Sequence, residues 1–168
     1  MTVYDVVRTA LAVRQYEDKP IPPETLKRIV EAARLTGNSM NQQPWSFIVI
    51  QDRKMLEKLG GMVQYGPYIA QASAAVAVVI ERTPFAVSDG SRAIQSMVLT
   101  AWDEGIGSNW VGFMGPEAVK PVLGIPDDRD LLAIVPFGYP DQATGKGSKN
   151  RKPVDQVVFY EQFGQSSQ

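Results

Sequence analysis

Apolar residues recur at helical intervals in some stretches of the chain and run together without interruption in others. Val3, Val6, Val7, Ala10 and Leu11 fall at helical spacing, so a first helix is expected over residues 3–12. It should stop before RQYEDKPIPP, whose prolines cannot continue it. A second helix is expected from near Pro23, since a proline in the first turn loses no useful donor, and Leu26, Ile29, Val30 and Ala33 form its apolar face. Gly37 is the expected left-handed cap. After the polar NSMNQQPW, the short run WSFIVIQ is rich in aromatic and β-branched residues, which favours a buried strand. AAVAVVIE at residues 74–81 is another of the same kind. Ile94, Met97, Val98, Ala101 and Trp102 then trace one face of an amphipathic helix, with Asp89 or Ser91 as its expected cap and Gly105 as its end. IGSNWVGF reads as a strand, PEAVKPVLG as a short helix and LLAIVPFGYP as a further buried strand. DQATGKGSKN has the composition of a mobile loop, and the closing RKPVDQVVFYEQFG is too apolar for a free tail. No repeat or internal boundary interrupts residues 1–168, which read as a single layered domain of the α+β class.

Composition narrows the chemistry. A chain of 168 residues can bury roughly 70% of the surface its unfolded form exposes, enough for one sizeable core. Seventeen basic against eighteen acidic side chains leave a net charge of −1. Such a chain has no overall field to draw nucleic acid or an anionic membrane, so any anion site must be local. No apolar run approaches the roughly 18 residues of a membrane span, and the amino terminus lacks a basic flank leading into an apolar signal core. A soluble cytoplasmic protein is expected. The sequence contains no cysteine and no histidine. That excludes disulfides, thiolate nucleophiles, histidine bases and metal sites built on either residue, so no metal is expected. Catalysis would rest on carboxylates, Lys, Tyr, main-chain groups or a borrowed cofactor.

The amides of NSMNQQPW admit two readings. In the local one Asn and Ser bond their own backbone, the residue before Pro44 is driven extended, and Trp45 enters the core. In the other, carboxamides supply both donors and an acceptor to the polar edge of a flavin ring, and do so without titrating. The basic KGSKNRKP, with Lys146, Lys149, Arg151 and Lys152, is by itself either a solvated loop or a phosphate grip. Arg14 taken alone is a solvated surface charge.

Together these segments resemble the nitroreductase family. ARLTGNSMNQQPWSFIVIQD is similar to its flavin-binding segment, with Asn41, Gln43, Pro44 and Trp45 on the pattern and Gly37-Asn38 where the family usually has Pro-Ser. AVRQYEDKPIPPETLKRIVEAA is similar to its amino-terminal signature through Arg14 and Tyr16. Ala10, Leu11 and Ala12 stand where that signature usually carries arginine and serine, and Arg8, one turn earlier, is a candidate substitute. DGSRAIQSMVLTAWDEGIGSNWVGF looks like the family's central helix and Gly-x-Gly strand, on Asp89, Ala93, Gln95, Leu99, Ala101 and Gly112. Lys149 and Arg151 fit its Lys-x-Arg phosphate motif. The resemblance spans residues 3–164.

It implies a central, mostly antiparallel sheet flanked by helices, in a homodimer whose carboxy-terminal segments are exchanged between partners. It implies FMN as cofactor, NAD(P)H as reductant, and a nitroaromatic, quinone or activated alkene as small-molecule acceptor. Arg14, Asn38, Ser39, Asn41, Gln43, Lys149 and Arg151 are the implied cofactor contacts. The main chain at Val111 and Gly112 is implied to face the reactive edge of the ring, as cofactor contact and catalytic group. A specialised flavin or deazaflavin dehydrogenase on the same fold, and a non-catalytic flavin-binding descendant, stay open as alternatives. Tyr65, Phe85 and Phe113 are candidates for an acceptor pocket, read otherwise as core.

Overall fold

Strand β2 (Ala74–Glu81) is buried from Ala74 to Ile80, and its unbroken apolar run follows from being covered on both faces. The computed structural model describes residues 1–112, 118–141 and 149–165. Within them a four-stranded sheet has the order β1-β2-β4-β3, with every neighbouring pair antiparallel. β1 (Trp45–Ile50) is one edge, β4 (Arg129–Gly138) lies inside, and β3 (Gly107–Ser108) is the other edge. Beyond β3, Ala12 adds an isolated parallel bridge to Ser108.

Alternation along β2 sorts the core into two layers. Val76, Val78 and Ile80 meet Ile29 and Ala33 of α2 (Pro23–Arg34) and Ile94 and Met97 of α4 (Ala86–Asp103). Ala75, Ala77 and Val79 face the other way, onto Leu56 and Leu59 of α3 (Arg53–Met62) and onto Ile69 in the 3-10 turn Pro67–Gln71. The molecule is therefore an α+β protein in which an antiparallel sheet lies between helical layers.

Several expected boundaries are corrected. The first helix, α1, spans Val3–Thr9 and opens on a capping box between Thr2 and Asp5; Ala10 is already extended, at ψ 126. Ala10–Ala12 therefore run beside β3 rather than on the helix. α2 ends at Arg34, before Gly37, which does not adopt left-handed backbone. α4 starts at Ala86 without a side-chain cap, which places Asp89 and Ser91 inside it. The strand expected over IGSNWVGF is regular only at Gly107–Ser108, although a bridge from Val111 to Ile134 continues the same register. In place of a short helix near residue 120 there is the 3-10 turn Pro121–Leu123, closed by left-handed Gly124. Residues 116–117 of that expected helix, Phe113, and most of the expected mobile loop, Lys146 included, lie outside the described residues. α3 was not anticipated at all. Asp52 starts it by accepting the Met55 N–H, and Leu56 and Leu59 bury its apolar face.

Candidate functional site

The chain leaving α1 is pinned against β3, and this makes one wall of a cavity of about 310 Å³. Val13 N donates to Ser108 O at 2.9 Å. The approach needs a glycine, because a Cβ at position 107 would lie 2.5 Å from Val13 Cγ2. The wall so formed is Ala10, Leu11 and Ala12; α4 contributes Ile94, Gln95 and Val98, and the β3 edge contributes Ser108, Asn109 and Trp110. Lys149 and Arg151 complete it. Lys149 Nζ donates to Val7 O at 2.6 Å, in the last turn of α1, where free carbonyls favour a cation. Arg151 donates to the neighbouring Asn150 O at 2.9 Å, leaving most of its donors uncommitted among the described residues.

The cavity combines a cationic pair with polar but neutral side chains and an apolar wall. Ser108 and Asn109 are only 3% and 8% exposed. Asn109 Nδ2 donates to the Tyr68 hydroxyl. Arg8 does not join the cations here, being paired with Asp5 at 3.6 Å. Gln95 carried a sequence signal through the central-helix pattern, whereas Ser108, Asn109 and Trp110 were hidden inside what reads as a plain strand. A phosphate with a polyol suits this donor set: guanidinium and ammonium for the anion, then amides and a hydroxyl for the alcohols. At 310 Å³ the space sits at the small end for a ligand pocket, room for part of a flavin nucleotide with the remainder at the open side.

The amide turn is built elsewhere, against the first turns of α4. Met40, Asn41 and Gln43 all take left-handed backbone, at φ 52, 54 and 53. For residues with a Cβ this region is strained, and such strain collects at functional sites. Asn38 acts as a brace: its Oδ1 accepts the Gln43 N–H at 2.8 Å and its Nδ2 donates to Thr36 O at 3.3 Å. Ser39 is held through its N–H and its hydroxyl by Asp89, at 3.0 and 3.1 Å. Asn41 and Gln43 are exposed, and the Asn41 carboxamide has no partner among the described residues. Both readings of the segment thus have a physical basis, with Asn38 and Ser39 shaping the turn and Asn41 and Gln43 facing outward.

Arg14 and Val111, two further expected site residues, are not part of the cavity lining. Arg14 is exposed and stands off the Tyr68 ring, with Cζ 6.0 Å from its centroid, and it does not line the cavity. The Val111 N–H is not a free donor, because it donates to Ile134 O at 3.0 Å while Ile134 N donates back at 3.1 Å. Val111 is 2% exposed. In an antiparallel pair successive residues turn their main-chain groups to opposite sides. Gly112, which is exposed, therefore directs its N–H away from β4, and the expectation for this pair moves from Val111 to Gly112.

Other candidates for chemistry are few. Tyr16 is buried and its O–H donates to Val13 O at 2.7 Å; burial, with Tyr68 adding to it, raises this phenol above its ordinary pKa. Tyr65 and Phe85 are exposed rather than core. Among the described residues no group of three or more His, Cys, Asp or Glu could hold a metal ion, and no helix is long and apolar enough to cross a membrane. A larger cavity, about 430 Å³, lies between α2 and the β1 edge and holds none of the expected site residues.

Comparison with known proteins agrees with this architecture. The profile of the nitroreductase family matches residues 7–91 and 80–139. A protein of Archaeoglobus fulgidus, provisionally named an NADH dehydrogenase/NAD(P)H nitroreductase, is 35% identical over 145 residues, covering 80% of this chain and 83% of its own. A solved structure from Parabacteroides distasonis with the same provisional name is 25% identical and superposes with a TM-score of 0.87, over 95% of this chain and 98% of the other. The fold also matches an NADPH:FMN oxidoreductase of Vibrio harveyi, solved in complex with NAD+, at 20% identity and a TM-score of 0.87, over 98% of this chain and 79% of that one.

Proposed function

The chain belongs to the nitroreductase family, and from that premise we propose that it is an FMN-dependent oxidoreductase that uses NAD(P)H to reduce small acceptors of the nitroaromatic, quinone or activated-alkene class. The observation that carries this reading is the cavity in which Lys149 and Arg151 stand beside Gln95, Ser108 and Asn109. Arg151 and Lys149 hold the phosphate, the neutral polar side chains hold the polyol, and the Gly112 N–H faces the ring as a donor fixed by the fold. When bound, the flavin supplies the two-electron hydride chemistry.

Asn41 and Gln43 of a partner subunit approach the open side of the cavity and complete the contacts to the ring edge in a homodimer. This accounts for amides that lie away from the cavity on their own chain, exposed and held in strained backbone. With neither histidine nor cysteine in the sequence, no side chain of those types relays a proton or forms a covalent intermediate, and protons reach the product from water or from the reduced ring. Reductant and acceptor occupy one site in turn, which makes initial-rate plots parallel.

The reading is tested by an absorbance scan of the purified protein and by equilibrium dialysis against FMN. Saturable uptake with a yellow protein that bleaches on adding NADH or NADPH supports it; no saturable uptake removes it. Saturable binding without bleaching by either nicotinamide favours the non-catalytic descendant, a reading that draws on the uncharged wall Ala10–Ala12 beside the phosphate position.

A further inference from the structure

Asp89 is 0% exposed, the one fully buried carboxylate among the described residues. A charge withdrawn from water is costly unless donors meet it. The donors that meet this one are Ser39 N at 3.0 Å, Ser39 Oγ at 3.1 Å and Arg92 Nη1 at 3.2 Å. Arg92 is three residues along the same helix and its side chain is 57% exposed, so the contact that links Asp89 to another element is the one to Ser39. Asp89 lies in the first turn of α4, where a carboxylate suits the helix end, but it makes no capping contact there, so its hydrogen bonds to Ser39 are not part of the helix's own start.

What Ser39 begins is the left-handed stretch through Met40, Asn41 and Gln43. Three such residues within four positions form a conformation that a short segment does not hold unaided. The stretch is gripped at its start by Asp89 and at its end by Asn38, whose Oδ1 accepts the Gln43 N–H at 2.8 Å. We infer that Asp89 is a positioning residue: its carboxylate fixes the amide turn in the conformation that presents Asn41 and Gln43 to the flavin ring. This rests on the proposed flavin chemistry and adds to it a residue that touches no flavin atom. Since the ring edge rather than the phosphate is the group served, the consequence of loosening Asp89 falls equally on any ligand that carries the ring.

The test compares wild type with Asp89→Asn and Ser39→Ala, using FMN and lumiflavin, which has the ring but no ribityl phosphate. Amide hydrogen exchange of the flavin-free proteins reports the turn, and fluorescence titration reports the ligands. Asp89→Asn is expected to speed exchange across residues 39–43 by about tenfold or more while leaving the core of α4 protected. It should weaken FMN and lumiflavin by the same factor, about tenfold, and shift the absorption band of bound FMN. Ser39→Ala should do the same to a smaller degree, and Ser39→Thr, which keeps the hydroxyl, should restore most of the loss. A folded Asp89→Asn protein with unchanged exchange and unchanged lumiflavin affinity would overturn the inference, as would a loss confined to FMN. If Asp89→Asn does not fold, Ser39→Ala decides by the same readings. A wild-type protein that binds neither flavin removes the flavin reading and this inference with it, an outcome distinct from variants that bind both flavins as well as wild type does.

Discussion

Arg151 commits one donor to Asn150 O and lines the cavity, whereas Lys149 already caps α1 through Val7 O. The two cations therefore differ in what their removal costs. Arg151→Ala should weaken FMN by about 1.5–3 kcal/mol, roughly ten- to a hundredfold, and riboflavin hardly at all. Parallel titrations with the two ligands check this, and equal losses would place the phosphate elsewhere. Lys149→Ala should in addition lower the melting temperature, because a helix-end contact goes with it. Val111 shows the limit of reading at this scale. Its place beside Gly112 is plain in the sequence, but residue order does not reveal which side the main-chain groups turn to, and the sheet takes its N–H. An ester at position 111 should thus cost stability, about 1 kcal/mol in a denaturation experiment, and leave flavin affinity near wild type. Asn41 and Gln43 were singled out as site candidates by the family resemblance, since the residue types alone suit a plain turn as well as a flavin edge. The brace from Asn38 is local, bonding its own neighbourhood as the turn reading expects, whereas the role of Asp89 was not legible, because it depends on a contact across 50 residues of chain.

Elements with a well-buried face were the easiest to read. β2 and β4 stand in the sequence as apolar runs, and α2 and α4 as helical stripes, because burial alone dictates those patterns. α3 escaped because Gly60 and Gly61 sit in its last turns, where a sequence reading takes glycine for a breaker. The two glycines have opposite physical status. At Gly60 a Cβ would stand 2.8 Å from Ala70 N and 2.9 Å from Pro67 O, so the helix can cross the 3-10 turn only without a side chain; at Gly61 nothing lies within 4 Å. Gly60→Ala should therefore destabilise by about 1–3 kcal/mol through overpacking. Gly61→Ala should stabilise by a few tenths up to about 1 kcal/mol through helix propensity. Urea unfolding of both variants decides; two changes of the same sign would mean that the packing of α3 is not as described. The end of α1 was misread for a related reason. Ala10 and Leu11 continue the helical spacing, yet Val13 is drawn to Ser108 O across a wall that only Gly107 permits, and tertiary packing overrides local pattern.

Large apolar side chains are exposed near both ends of the described chain. Val3, Tyr4 and Val7 on α1 are exposed, as are Val154, Val157, Val158 and Tyr160 near the carboxyl end, and Phe163 is 94% exposed. Phe159 and Phe163 pack on each other, ring centroids 4.7 Å apart, which holds the segment together without anchoring it to the sheet. Scattered apolar residues are normal on a surface, but a run of them along one segment marks a contact. Such a run, with the exposed Asn41 and Gln43, is the surface expected of a chain that completes its site with a second copy. Composition had already hinted at this, in an apolar end too rich for a free tail, while the partner face itself could not be drawn from one sequence. If the chain forms the proposed homodimer with its carboxyl end laid over the partner, deleting residues from Val157 onward should give a monomer or an aggregate with lowered flavin affinity. Light scattering coupled to size exclusion measures the mass, and the absorbance of the same peak measures retained flavin. A soluble dimer that keeps its yellow colour after the deletion would show that residues 157–165 serve only their own chain, and the contact between copies would have to be sought on α1 and α4 instead.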